Sequence, residues 1–175
     1  MAIRKPLVQV NGVLGELPST DVLGNVVPSF HVYKTAVSNA VTGDGTEYQV
    51  VFDSVDWDNG GNYNPSTGLF TAPVSGKYFF TSTVLLFNVE VSDTSGYMKI
   101  TNSNGISAVR TEVAPYTYKG ASEGSLFASA AMKMNAGDTV EIVIAVGGGS
   151  KVVNVYGAAL GAVMYTNFQG FLISL

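Results

Sequence analysis

The sequence predicts an all-β fold, a ten-stranded antiparallel sandwich with an extended N-terminal arm, and three observations carry that prediction. From Ser29 onward, short runs of β-branched and aromatic residues alternate with Gly/Asn/Ser/Asp clusters, the rhythm of strands joined by tight turns. The run Thr139 to Val146 has the two-residue period of a strand: Val140, Ile142, Ile144 and Val146 share one face, and Glu141, Val143 and Ala145 the other. The stretch from Phe52 to Phe80 spaces aromatic anchors through a turn-rich loop and then into a strand, as a sandwich corner does. Helix is expected to be nearly absent.

Residues 1–28 read as an arm: a short strand at Leu7, Val8 and Val10, an Asn11-Gly12 turn, then Leu14, Leu17, Pro18 and Val26-Val27-Pro28. Apolar side chains in an arm require a docking surface, which makes Leu7, Val8, Val10, Leu14 and Leu17 the candidate anchors. The domain proper is expected over 29–175, with strands near 30–35, 46–53, 68–72, 76–87, 96–102, 106–113, 124–134, 139–147, 151–157 and 167–174. Between Phe52 and Tyr78, Asp/Asn/Gly residues turn the chain, Tyr63 and Phe70 plug the interior, and Pro73 and Gly76 punctuate the path into the next strand. Gly43-Asp44-Gly45 and Gly147-Gly148-Gly149 read as hairpin turns, since neither precedes a helix start or the Lys-Ser/Thr of a phosphate loop.

Several strands are apolar on both faces. In Tyr78–Phe87, Tyr78, Phe80, Val84 and Leu86 share one face while Phe79, Leu85 and Phe87 occupy the other; at the C-terminus Phe168 and Leu172 oppose Phe171, Ile173 and Leu175. A two-layer sandwich in water wets the outer face of each sheet, so such strands require a further covering layer. A symmetric neighbour supplies one. Phe79, Leu85, Phe87, Val143, Ala145, Phe171 and Ile173 are the candidate contacts. Composition agrees, because 46% of the chain is hydrophobic and only 13% is charged, an apolar balance for a lone soluble domain.

The totals exclude several function classes. A formal net charge of −4 with no basic cluster argues against a nucleic-acid footprint. The absence of cysteine removes disulfides and thiol chemistry. The N-terminus breaks at Pro6 and Gln9 before an apolar core of signal-peptide length develops, and the longest weakly polar window, Tyr156–Tyr165, is about half the ~20 residues of a spanning helix. Neither export by a leader nor membrane insertion is expected.

Phe52, Asp58, Tyr63, Phe70, Gly76, Tyr78 and Phe80 stand at the intervals of the C1q-domain pattern, with Ser82 where that family places a further aromatic. Ala136-Gly137-Asp138-Thr139-Val140 is similar to the family's Gly-Asp-x-Val turn-and-strand entry, and Thr166-Asn167-Phe168-Gln169-Gly170-Phe171-Leu172 to its closing Phe-x-Gly-Phe-Leu strand. From about Phe30 to the end the chain therefore resembles the C1q and tumour-necrosis-factor families. That resemblance implies a jelly-roll sandwich and a homotrimer about a threefold axis. The segment Lys5 to Gly12, followed by Glu16-Leu17-Pro18, resembles a stretch that precedes small β-domains in tailed-phage virion proteins.

Candidate chemistry is sparse. His31 is the only histidine, so neither a zinc site nor a catalytic triad has an evident partner set, and no Gly-x-Ser-x-Gly elbow occurs. An enzyme is not expected. Asp53, Asp56 and Asp58 are candidate ligands for a hard cation such as calcium, which the resemblance also allows; capping of turn amides is the plainer reading, because Gly60 and Thr67 stand where an EF-hand would place oxygen ligands. Trp57, Tyr116 and Tyr118 fall in expected loops, where aromatics either stack on sugar rings or cover the sandwich end. The functional expectation is a virion-located, non-enzymatic trimeric knob, held to a phage capsid or tail by residues 1–28 and serving decoration and display. The alternative is a receptor- or glycan-binding module for host attachment.

Overall fold

The computed structural model describes the backbone at residues 7–10, 13–16, 27–105, 107–112, 122–157, 159–160 and 163–175, with side chains at 27–105, 122–157 and 164–175. The described residues form strands, turns and bends, and no helix. Among them, then, no helix is long and apolar enough to cross a membrane. Near the N-terminus, β1 (Leu7–Val10) and β2 (Val13–Glu16) pair antiparallel, with Val10 opposite Val13 and Val8 opposite Gly15. The sandwich begins with β3 (Ser29–Tyr33), β4 (Ser38–Thr42), β5 (Tyr48–Gln49), β6 (Ser54–Asn59), β7 (Tyr63–Asn64) and β8 (Leu69–Thr71). The long strands follow as β9 (Gly76–Phe87), β10 (Ser95–Asn102), β11 (Ser107–Glu112), β12 (Glu123–Met134) and β13 (Thr139–Gly147). The short β14 (Val153–Val155), β15 (Ala159–Leu160) and β16 (Val163–Met164) lead into β17 (Asn167–Ser174).

Apart from the two-stranded pairs β1–β2 and β15–β16, these strands make two facing antiparallel sheets, a jelly-roll. In the larger, β9 pairs with β12 on one side and with β17 and β14 on the other; β17 continues to β3 and then β6, and β14 to β4. The smaller runs β11-β10-β13-β8-β7, with β5 also on β13. The expected limits 76–87, 139–147 and 167–174 coincide with β9, β13 and β17. Two expectations are corrected. Ser54–Asn59, read as part of a turning loop, is a strand paired with β3, and Ser38–Thr42 adds a strand on β14. Both are edge strands with polar sequences, which blunt an open edge and so resemble loops in composition.

The two-residue period puts Tyr78, Phe80, Val84 and Leu86 of β9 against Ile142, Ile144 and Val146 of β13 in one core. At its centre Phe30 stacks on Phe70 (4.7 Å between centroids, 17°) and on Tyr63 (5.6 Å), and meets Phe168 edge-on at 4.9 Å. Gly170 is required there, since a Cβ would stand 2.4 Å from Phe80 Cδ1 and 2.9 Å from Phe30 Cε1. Ser82, at the position where an aromatic would be expected, is buried, and its hydroxyl donates to the Asn167 carbonyl at 2.8 Å. A polar side chain is thereby tolerated in the core wall because its hydrogen bond is made internally.

Tyr63 closes the corner. Its hydroxyl accepts from Phe52 N at 3.1 Å and donates to Phe52 O at 3.2 Å, and burial pushes the phenol pKa far above its ordinary value. Replacing Tyr63 with Phe leaves both buried backbone groups of Phe52 without this partner, and will cost about 1–3 kcal/mol in urea unfolding. An unchanged midpoint would mean that the bridge contributes nothing.

Candidate functional site

The outer faces of the two sheets differ in chemistry, and the difference follows from which residues occupy the odd positions of each strand. On the smaller sheet Glu47 accepts from the Tyr97 hydroxyl and the Lys99 ammonium, and that ammonium lies 5.2 Å from the Tyr97 ring centre. Burial, and then the charge of Glu47, raise the carboxyl pKa of Glu141 on the same sheet. Val143 lies cross-strand from Lys99 and is half-buried; Ala145 lies opposite Tyr97 and is buried. This is an ionic skin, suited to water.

The larger sheet presents a different surface, and the strand register arranges it in rows. One row runs Asn59, Ser29, Phe171, Phe79, Ala131; the next runs Trp57, His31, Gln169, Thr81, Ser129; a third runs Ser54, Tyr33, Asn167, Thr83, Phe127. Beyond them lie Leu85 opposite Ser125, and Phe87 opposite Glu123 and Asn154. Phe79 and Phe171 touch at 5.7 Å between ring centres, and Phe87 contacts Tyr156 at 4.6 Å, which in turn meets Tyr165 at 6.1 Å. Two aromatic clusters thus flank a polar band. Phe127, Ile173 and Phe171 are 55%, 53% and 47% exposed on the single subunit, well above what isolated apolar side chains in a core would be.

Of the seven candidate interface residues, the structure gathers Phe79, Leu85, Phe87 and Phe171 on this face, leaves Ile173 in the β17 bulge between Leu172 and Ser174, and places Val143 and Ala145 on the opposite sheet. A strand's period tells which residues share a face, not which layer the strand joins. The polar band is a feature the spacing argument passed over, because it counted Phe79, Leu85 and Phe87 and skipped Thr81 and Thr83. Phe127 was missed as well, its neighbours Ser125 and Ser129 giving β12 the look of a strand with a wet face.

The three candidate cation ligands turn to different partners. Asp53 accepts from Thr35 N (2.7 Å), Thr35 Oγ1 (2.9 Å) and Ala36 N (3.1 Å); Asp58 accepts from Tyr63 N at 2.8 Å; Asp56 pairs with His31 Nδ1 at 3.0 Å. Among the described residues, no group of three or more His, Cys, Asp or Glu side chains gathers as a metal site. Asp53 opposes its own partial burial through these amide and hydroxyl bonds and the nearby Lys34 ammonium, and the net result is a carboxyl held below its ordinary value. Folded pKa below unfolded pKa means stability present above about pH 4 and lost as pH falls through the folded value. Asp53→Asn will therefore flatten the acid limb of a pH–stability curve while lowering stability near neutrality by about 1–2 kcal/mol. An acid limb identical to the parent's would contradict this.

Trp57 stands on β6, the sheet edge, 41% exposed and 6.2 Å from the His31 ring, rather than in a loop. Tyr116, Tyr118 and Leu17 lie outside the described residues; Leu7, Val8, Val10 and Leu14 lie in the β1–β2 hairpin.

Two sheets in jelly-roll order, one with an ionic skin and one with a broad aromatic face, are compatible with a non-enzymatic binding or structural module. The chain belongs to the C1q domain family, whose profile matches residues 32–173. Among solved structures it is similar to the globular domain of zebrafish complement 1qA, with 23% identity, TM-score 0.55, and coverage of 84% of this chain and 97% of that one. It is also similar to murine APRIL, with 12% identity, TM-score 0.55, and coverage of 85% and 98%. At these identities the likeness shows the fold alone. No curated protein sequence matches this chain. Domains of the C1q and tumour-necrosis-factor type commonly form homotrimers.

Proposed function

We propose that this chain is a non-enzymatic virion structural protein, a homotrimeric knob that a tailed phage carries on its capsid or tail through residues 1–28. The observation that carries the assembly is the pair of aromatic clusters on the larger sheet, exposed on one subunit and suited to burial against another. Obligate interfaces of this apolar kind remove roughly 2,000 Å² or more from water. Three copies then present the far loops together, so that weak contacts add as avidity. The virion location is supported by the resemblance of Lys5–Gly12 and Glu16–Pro18 to segments ahead of small β-domains in phage particles. Immunogold electron microscopy of purified particles tests it: label at regular surface positions, lost on deleting residues 1–28, is expected. Particles without label would overturn the virion reading.

A second reading, a receptor- or glycan-binding module for host attachment, draws on Trp57, whose exposed ring lies beside the hydrogen-bonded His31–Asp56 pair. Aromatic faces next to such donors and acceptors suit sugar rings. Adsorption of the purified protein to host cells, abolished by Trp57→Ala, would favour this reading over a purely structural one.

A further inference from the structure

We propose that Asn104 is a site of spontaneous covalent modification, converted to aspartate and isoaspartate through attack by the backbone nitrogen of Gly105. The step favours an asparagine followed by glycine, because a residue without a Cβ lets its nitrogen close on the preceding side chain. The chain holds Asn11-Gly12, which lies outside the described residues, and Asn59-Gly60 and Asn104-Gly105. The fold treats the last two differently.

Asn59 is restrained. It ends β6 opposite Ser29, its Nδ2 donates to Ser29 Oγ at 2.9 Å, and its carbonyl accepts from Asn62 Nδ2 at 3.2 Å. The Asn62 side chain also crowds Gly60, standing 2.7 Å from where a Cβ would be. Asn104 and Gly105 are exposed in the turn from β10 to β11. Ser103 N donates to Thr139 O at 2.9 Å, Thr139 N to Ser103 Oγ at 3.1 Å, and Asn104 N to Asn102 Oδ1 at 3.1 Å. These bonds hold the Asn104 backbone, while its carboxamide has no hydrogen-bond partner among the described residues. Gly105, at φ 75°, has open space around its Cβ position, and its N–H donates to Asn102 O at 3.0 Å in the turn. Exposed backbone bonds of this kind open at low cost.

Hydroxide takes the Gly105 amide proton, the nitrogen bonds to Asn104 Cγ, and the Cγ–Nδ2 bond breaks, Nδ2 leaving as ammonia with a proton from water. Water then opens the cyclic imide at either carbonyl, giving aspartate or isoaspartate, so that water is consumed and ammonia released in equal amounts. The imide nitrogen carries no proton, so the turn bond to Asn102 O is lost at that stage. Each conversion adds a negative charge to the formal −4 of the chain. The turn belongs to the smaller sheet, so the chemistry does not depend on assembly through the larger one.

Peptide mapping by mass spectrometry, on the full chain aged at mildly alkaline pH, follows each pair separately. Aspartyl and isoaspartyl forms of the Asn104 peptide are expected, appearing faster as pH rises, with Asn59 slower by at least about fivefold, the weight of one net hydrogen bond. In urea, which removes the restraint on Asn59, the two rates should converge. An intact Asn104 in the aged folded protein would overturn the proposal, as would conversion of Asn59 at an equal or greater rate.

Discussion

Changing Phe79 to aspartate will leave the sandwich folded and take the assembly apart. Phe79 lies on the outer face of β9, paired with Phe171 and outside the core formed by Tyr78 and Phe80, so the substitution removes an aromatic pair worth ~0.5–1.5 kcal/mol from the subunit. In the proposed trimer the same side chain faces another subunit. An unpaired carboxylate desolvated there forfeits ~2–4 kcal/mol at each interface, as truncation of a central aromatic anchor does. The expected record is a fall in mass to one subunit with an unchanged circular dichroism spectrum. Val143→Asp is the control: it puts a carboxylate on the ionic skin of the smaller sheet, and the assembly will survive it. If both variants remain trimeric, the face of the larger sheet is not the interface.

The second large effect concerns the core. Phe30→Ala removes the ring on which Phe70 and Tyr63 stack and against which Phe168 stands edge-on. Four aromatic neighbours cannot collapse into that space together, because Gly170 already brings the β17 backbone against Phe80 and Phe30. Large-to-small changes at such sites cost about 3–5 kcal/mol, a large share of the ~5–15 kcal/mol that holds a domain folded. A urea midpoint shift equivalent to less than about 1 kcal/mol would show that the aromatic cluster is not the keystone of the fold.

How far the sequence could be read depended on how strongly each strand is polarised. β9, β13 and β17 each carry a deeply buried face, and a one-residue slip would expose Phe80, Ile142 or Phe168, so their limits were legible. β6 was not. Its Asp56, Asp58 and Asn59 satisfy His31, Tyr63 N and Ser29 through contacts made across 5 to 30 residues of sequence, which local composition does not reveal. Trp57 was misplaced for the same reason. The aromatic face was half legible, since alternation identified Phe79 and Phe171 as outward, whereas the separation of Val143 and Ala145 onto the other layer is a property of topology. The dispersal of Asp53, Asp56 and Asp58 to three partners likewise depends on tertiary neighbours.

Under the proposed assembly, two further copies cover the aromatic face of the larger sheet. Size-exclusion chromatography with light scattering on the full chain tests it most directly. One species at three times the 18.3 kDa chain mass is expected, converted to 18.3 kDa by Phe79→Asp. A parent protein that elutes at 18.3 kDa, with Phe127 and Phe171 open to water, would rule the trimer out.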